Sequence, residues 1–340
     1  MRKNIDLSNI TEEDLLKLRI CDLPLSIEGT WFETCVNELY EELKNKAMIF
    51  KPVCYLADEW LTPDQEPVIG IPFFLAHATL MKLEKKMMLD VEGETKQWFM
   101  KLLRHETGHT VNYAYKLFKR RKWQKVFGCF SKEYTDTYRF RPYSRNFVRH
   151  LEDYYAQYHP DEDFAETFAV WLNPDTDWQN HYKGWKALGK LKYVDDLMQE
   201  IKDKEPLVKN GKKYWQAQRL TSTLGNYYKR KRHFYAEDFH DFHDINLKRI
   251  FTEKTQDTAS SPVAYVLIKK YRKNIISTVS KWTGEKKYII DDLLKNLIMR
   301  CKDLNLVSID NEPLAVLKIA TYITTLMMNY MYTGRLRGKK

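Results

Sequence analysis

Most of the chain shows apolar residues recurring every three to four positions, interrupted by two short runs that are apolar throughout. Over residues 1–50 the helical spacing dominates. Thr11-Glu12-Glu13-Asp14 makes a helix start ahead of Leu15, Leu16 and Leu18, and residues 31–43 repeat the pattern. The texture changes over 51–75. Val53-Cys54-Tyr55-Leu56-Ala57 and Val68-Ile69-Gly70-Ile71-Pro72-Phe73-Phe74-Leu75, separated by Thr62-Pro63-Asp64, predict two strands of a small sheet. Pro72 confines the second strand to an edge, or ends it.

Helical spacing returns at 80–89, breaks at Val91-Glu92-Gly93-Glu94-Thr95, and resumes over 97–117. Residues 127–145, rich in aromatics and arginine around Pro142, read as a connecting segment that lines a cleft or simply packs as loop. Pro160 suits the first turn of a further helix, which Asn173-Pro174-Asp175 stops, and 193–201 is helical again. After the loop or linker at 255–262 come helical patterns at 263–280, 288–304 and from Leu314 onward. The expectation is a mainly α fold with a small β-sheet, organised as a helical N-terminal region 1–50, a core 51–205 and an α-helical C-terminal lobe 206–340. No internal repeat interrupts it.

Composition narrows the class. The 340 residues are 44% hydrophobic, 30% charged and 14% aromatic, which suits a globular chain and argues against disorder. The most apolar late stretch, 314–332, carries Lys318, Asn329, Thr321, Thr324 and Thr325 and is too polar to span a bilayer. The N-terminus lacks the apolar segment of a secretion signal. Five cysteines, odd in number and without C-x-x-C spacing, argue against a disulfide framework or a thiolate zinc site and for a reducing compartment. A cytoplasmic chain without a membrane anchor is expected. The net charge of +10, with basic clusters at 119–122, 229–232 and 335–340, permits nucleic-acid binding without demanding it. Solvated helix faces and tails are the better reading of those clusters. The sequence carries no sign of oligomeric state.

Candidate chemistry is concentrated in Leu103-Arg104-His105-Glu106-Thr107-Gly108-His109, an H-E-x-x-H match inside an apolar helical run. On a helix, His105 and His109 stand at i and i+4 and aim two imidazoles at one point, with Glu106 beside it. Two nitrogen ligands next to a carboxylate suit a catalytic zinc with an open position and a base for its water. A second segment, His159-Pro160-Asp161-Glu162-Asp163-Phe164-Ala165-Glu166-Thr167-Phe168-Ala169, places Glu162 and Glu166 on one helical face. One of these can complete a His₂Glu zinc site while the other accepts a hydrogen bond from a ligand histidine. Acidic residues of a first turn also complement the helix dipole, which is a sufficient reason for Asp161 to Asp163. Asp58-Glu59 read as loop carboxylates. The histidines of 233–244, with interleaved acids, have no diagnostic metal spacing and read as a solvated face.

Four blocks together resemble the bacterial zinc-binding metallopeptidase family: Asp58-Glu59-Trp60, Ile71-Pro72-Phe73-Phe74-Leu75-Ala76, the His105–His109 block and the 159–169 block. The last two are also similar to the catalytic segments of lethal factor-type gluzincins. The resemblance covers roughly residues 50–200. It implies a zincin-like α+β core, Zn2+ as cofactor and a peptide or protein substrate. It further implies Glu162 as third ligand, Glu166 behind the ligands, and Tyr155, seven residues before Glu162, as donor to the transition state. The 53 positions from His109 to Glu162 (162 − 109) exceed the spacing of the shortest gluzincins and keep Glu166 open as the ligand. Tyr155 reads equally well as one core tyrosine among 22. In the expected reaction Glu106 takes a proton from zinc-activated water and passes it to the leaving amine. The alternative is a non-catalytic nucleic-acid- or protein-binding protein with a vestigial or structural zinc site.

Overall fold

The computed structural model describes residues 5–134, 141, 143–151, 154–233 and 243–333. Among these residues the chain is mainly helical, with two small two-stranded sheets. It divides into two compact units, Met1–Lys85 with Val91–Tyr227, and Lys86–Asp90 with Tyr228–Lys340.

The first unit opens with α1 (Glu12–Lys17), capped by the Thr11 side chain as its sequence implies, and α2 (Glu33–Asn45). Strands β1 (Val53–Ala57) and β2 (Val68–Pro72) pair in parallel, Val53 opposite Val68 through Ala57 opposite Pro72. Pro72 is thus the last residue of its strand. On the side of β2 away from β1, Gly70 N–H donates to the Leu61 carbonyl at 2.8 Å and its own carbonyl accepts from Leu61 N–H at 3.3 Å. The connection between the strands therefore doubles back along β2 and covers the middle of its outer edge. Glycine suits position 70, because an added β-carbon would lie 2.8 Å from the Ala57 Cβ and 2.4 Å from Leu61 Cδ2.

Helix α3 (Ala78–Met88) leads to α4 (Lys96–Ala114), whose N-cap is the Thr95 side chain. Nearly every residue of α4 from Phe99 onward is buried. It ends where Lys116 takes a left-handed conformation at φ 52°. After α5 (Arg121–Phe127) comes α6 (Pro160–Leu172), which begins with Pro160 in its first turn and is buried at all thirteen positions. A helix enclosed on every side forms the centre of its unit. Gly108 of α4 fits against Ala165 of α6, where a β-carbon would come within 2.7 Å of the Ala165 Cα, so the two helices are in backbone contact at this point.

Around this pair stand α7 (Trp178–His181), α8 (Ala187–Ile201), and an aromatic group of Trp123, Phe127, Phe164 and Phe168. Helix α2 is tied to α4 by a buried two-pronged ion pair. Arg104 Nε and Nη2 donate to the two Glu42 carboxylate oxygens at 2.8 and 2.6 Å. Residues 206–220 stay with the first unit: Val208 N–H donates to the Ala114 carbonyl, and Tyr55 Oη donates to the Tyr214 carbonyl at 2.9 Å.

Helix α9 (Leu224–His233) spans the division between units. The second unit contains α10 (Asp244–Ile250), β3 (Thr252–Glu253), α11 (Ala264–Thr283), α12 (Lys287–Asp303), β4 (Leu306–Val307) and α13 (Glu312–Thr333). Leu267, Ile268, Ile275 and Val279 of α11, Ile290, Leu294 and Leu297 of α12, and Ile319, Ile323 and Met327 of α13 form its core. Gly284, left-handed at φ 73°, terminates α11. The stretch 255–262 is a loop between β3 and α11. Among the described residues no helix is long and apolar enough to cross a membrane. All five cysteines are free.

Candidate metal centre

The crossing of α4 and α6 brings His105, His109 and Glu162 together in the interior. Their potential ligand atoms form a nearly regular triangle. His105 Nε2 lies 3.2 Å from His109 Nε2, and Glu162 Oε2 lies 3.1 Å from the first and 3.2 Å from the second. A tetrahedral zinc with bonds of about 2.0–2.1 Å spaces its donors about 3.3–3.4 Å apart. The triangle therefore fits a cation on three bonds of ordinary length, with a fourth direction left over.

The outer nitrogens explain why the inner ones point the way they do. His105 Nδ1 donates to Glu166 Oε1 at 2.8 Å, and His109 Nδ1 donates to Asp161 Oδ2 at 2.9 Å. A carboxylate can only accept, so each imidazole spends its N–H outward and turns a lone pair inward. Two lone pairs and a carboxylate oxygen face one another with no donor between them. Such a set needs a cation at its centre, a proton or a metal. Burial by itself would lower the pKa of His105, but Glu162 and Glu166 outweigh it and push it up to about 9. His109 is likewise raised, by Asp161 and Glu162 against the effect of burial. The carboxyls of Glu162 and Glu166 are lowered in spite of their burial, by the imidazoles beside them.

Each carboxylate is itself held. Glu166 Oε2 accepts the Leu151 N–H at 2.9 Å. Asp161 accepts from His109, from Asn112 Nδ2 at 2.7 Å and from the Tyr113 hydroxyl. Glu162 Oε1, the oxygen turned away from the histidines, accepts the Tyr134 hydroxyl at 2.9 Å. His159 caps α6 by accepting the Asp161 N–H on Nδ1, and its Nε2 donates to the Lys132 carbonyl at 2.7 Å.

Of the residues expected from sequence, His105, His109 and Glu162 lie in one group, and Glu166 stands behind His105. Glu106 is buried on the same helix turn, its carbonyl accepting the Thr62 hydroxyl at 3.2 Å. The Tyr155 ring sits 5.6 Å from that of His105. Its hydroxyl is held protonated, first by burial and then by the nearby carboxylates of Glu162 and Glu106. Asp58 and Glu59 are not among the three grouped ligands; the carbonyl of the first and the carboxylate of the second accept the Tyr227 hydroxyl. Of the 233–244 histidine stretch, 234–242 fall outside the described residues, and His243 pairs through Nδ1 with Tyr322 Oη at 2.8 Å.

Sequence reading missed Asp161, Asn112, Tyr113 and Tyr134. A usable signal existed for two of them: Asn112 and Tyr113 follow His109 at i+3 and i+4 and share its face. Tyr134 lies in the connecting segment, where no periodicity marks it. Comparison with protein-family models, curated proteins and solved structures gave no match to this chain.

Proposed function

We propose that the chain is a zinc-dependent peptidase of gluzincin type, with a zincin-like core around α4 and α6. The observation that carries this reading is the inward convergence of His105 Nε2, His109 Nε2 and Glu162 Oε2, next to a glutamate that takes no part in the triangle. A purely structural zinc site is more often closed by four protein ligands and has no use for an adjacent base.

His105, His109 and Glu162 would hold the ion, and Glu166 and Asp161 fix the tautomers of the two histidines. When bound, zinc supplies Lewis acidity, lowering the pKa of a coordinated water toward about 7 and polarising a substrate carbonyl. Glu106 would accept a proton from the attacking water and return it to the departing amine nitrogen. The Tyr155 hydroxyl, beside the His105 ring, donates to the oxyanion that develops on the carbonyl. Burial excludes bulk water from the carboxylates and strengthens each of these contacts.

The test combines metal content with hydrolysis of an unfolded protein such as casein. Wild-type protein should hold about one zinc per chain. Glu106→Gln should keep the zinc and lose hydrolysis by about 10²–10⁴-fold. His105→Ala and Glu162→Ala should lose both. Wild-type protein without zinc, even after metal is supplied, would sink the proposal. Zinc with no hydrolysis of unfolded substrates would turn the reading to a binding protein with a structural metal.

A further inference from the structure

Glu162 differs from the two histidines in having a second donor atom. A carboxylate that swings a few degrees can place both oxygens on a metal, which fills the position a water needs. The outer oxygen, Oε1, is therefore the point at which coordination is decided. In this fold it is occupied by Tyr134, whose hydroxyl donates to it at 2.9 Å.

Tyr134 is not held by that bond alone. Its ring stacks on His159 at 3.9 Å between centroids and 18° between planes. His159 is fixed at both nitrogens, by the Asp161 N–H it caps and the Lys132 carbonyl it donates to. Lys132 lies two residues before Tyr134, so the chain that carries the tyrosine is anchored by the same imidazole that the tyrosine covers. His159 is also the N-cap of the helix that carries Glu162. Ligand, cap and tyrosine thus form one closed unit, and the hydroxyl meets Glu162 from a preset direction although half of the Tyr134 side chain is exposed.

We infer that Tyr134 is a positioning residue that engages Glu162 Oε1, limits the glutamate to one metal bond through Oε2 and keeps the remaining coordination position open. The inference rests on the proposed metal site and adds a residue from outside its two helices. Tyr134 acts through Glu162 and has no direct part in bond breaking.

The experiment uses the full chain with Tyr134→Phe, which keeps the ring on His159 and removes the hydroxyl alone. Tyr143→Phe, at an almost fully exposed tyrosine of the same segment, serves as the control. Zinc affinity is measured by competition with a chromophoric chelator, and the visible absorption of the cobalt(II)-substituted protein reports coordination number. Tyr134→Phe should bind zinc about 10–100-fold more weakly than wild type. Its cobalt bands should weaken as a four-coordinate ion becomes five-coordinate. Tyr143→Phe should match wild type in both. Unchanged cobalt bands in Tyr134→Phe, whatever its zinc affinity, would overturn the inference while leaving the metal site standing. Wild-type protein that takes up neither zinc nor cobalt would overturn both together.

Discussion

Gly108 and Ala165 meet backbone to backbone, and the 2.7 Å separation between a notional β-carbon on residue 108 and the Ala165 Cα leaves no room for a methyl group. The contact lies one residue before His109 and three after Glu162, so it sets the distance between the two halves of the candidate metal triangle. Gly108→Ala should push α4 and α6 apart. The overpacking should cost about 1–3 kcal/mol of stability. Zinc affinity should fall in parallel, because the Glu162 to histidine distances widen together. Thermal unfolding and chelator competition on the same sample check both, and a variant with wild-type affinity would show that the helices adjust without moving the ligands.

Asp161 should matter to metal binding as much as Glu166. Each accepts the outer N–H of one ligand histidine. Asp161→Asn and Glu166→Gln should each weaken zinc binding by about 10–100-fold, whereas Glu106→Gln should not. If Asp161→Asn binds zinc as wild type does, its first-turn position on α6 is reason enough for its presence.

The Arg104–Glu42 pair is buried at both ends and joins α2 to α4 one position before His105. Glu42→Gln leaves a guanidinium in the interior without its counter-charge, and should cost about 3–5 kcal/mol. The double change Glu42→Leu with Arg104→Met should recover most of that loss, since neither charge then remains. Chemical denaturation of wild type and the two variants decides it. A Glu42→Gln protein as stable as wild type would mean that water reaches Arg104.

His243 provides a pH prediction in the second unit. Burial lowers its pKa from 6.5 to about 4, only partly opposed by Asp244. The folded chain therefore resists protonation there while the unfolded chain accepts it. Its contribution to stability is complete above about pH 6.5 and is lost as pH falls toward 4. His243→Gln should flatten this part of the urea-midpoint profile between pH 7 and pH 4. A profile identical to wild type would assign the acid sensitivity to other groups.

Sequence periodicity placed α4 and α6 because their signals are local: apolar residues recurring at i, i+3 and i+4 in both, and a proline in the first turn of α6. The first apolar run became a strand for the same reason, whereas the second is strand only to Pro72 and turns into a 3-10 helix over Phe73–Ala76. The resemblance supplied the pairing of the two blocks, but not the way they meet. Gly108 read as one letter of a motif, although its missing side chain is what allows the helices to touch. Asp161 read as a complement to the helix dipole, which its position supports, while its carboxylate is committed to His109, Asn112 and Tyr113. Arg104 and Glu42 are separated by 62 positions and the Tyr134–Glu162 contact by 28, so no window of helical or strand length contains either pair. The return of Leu61 along β2 depends on the path of a loop, which pattern alone does not constrain.

The complete enclosure of α6 bears on how descendants of this chain would decay. Every residue from Pro160 to Leu172 is packed, so drift along that helix is restrained by folding whether or not a metal is ever bound. If the proposed hydrolysis were lost, the helix would stay nearly intact and the sequence would still carry the motif. Glu106 is packed as well, but its carboxylate makes no hydrogen bond among the described residues, so a glutamine of the same shape would fit in its place. Its replacement would be the earliest trace of lost chemistry.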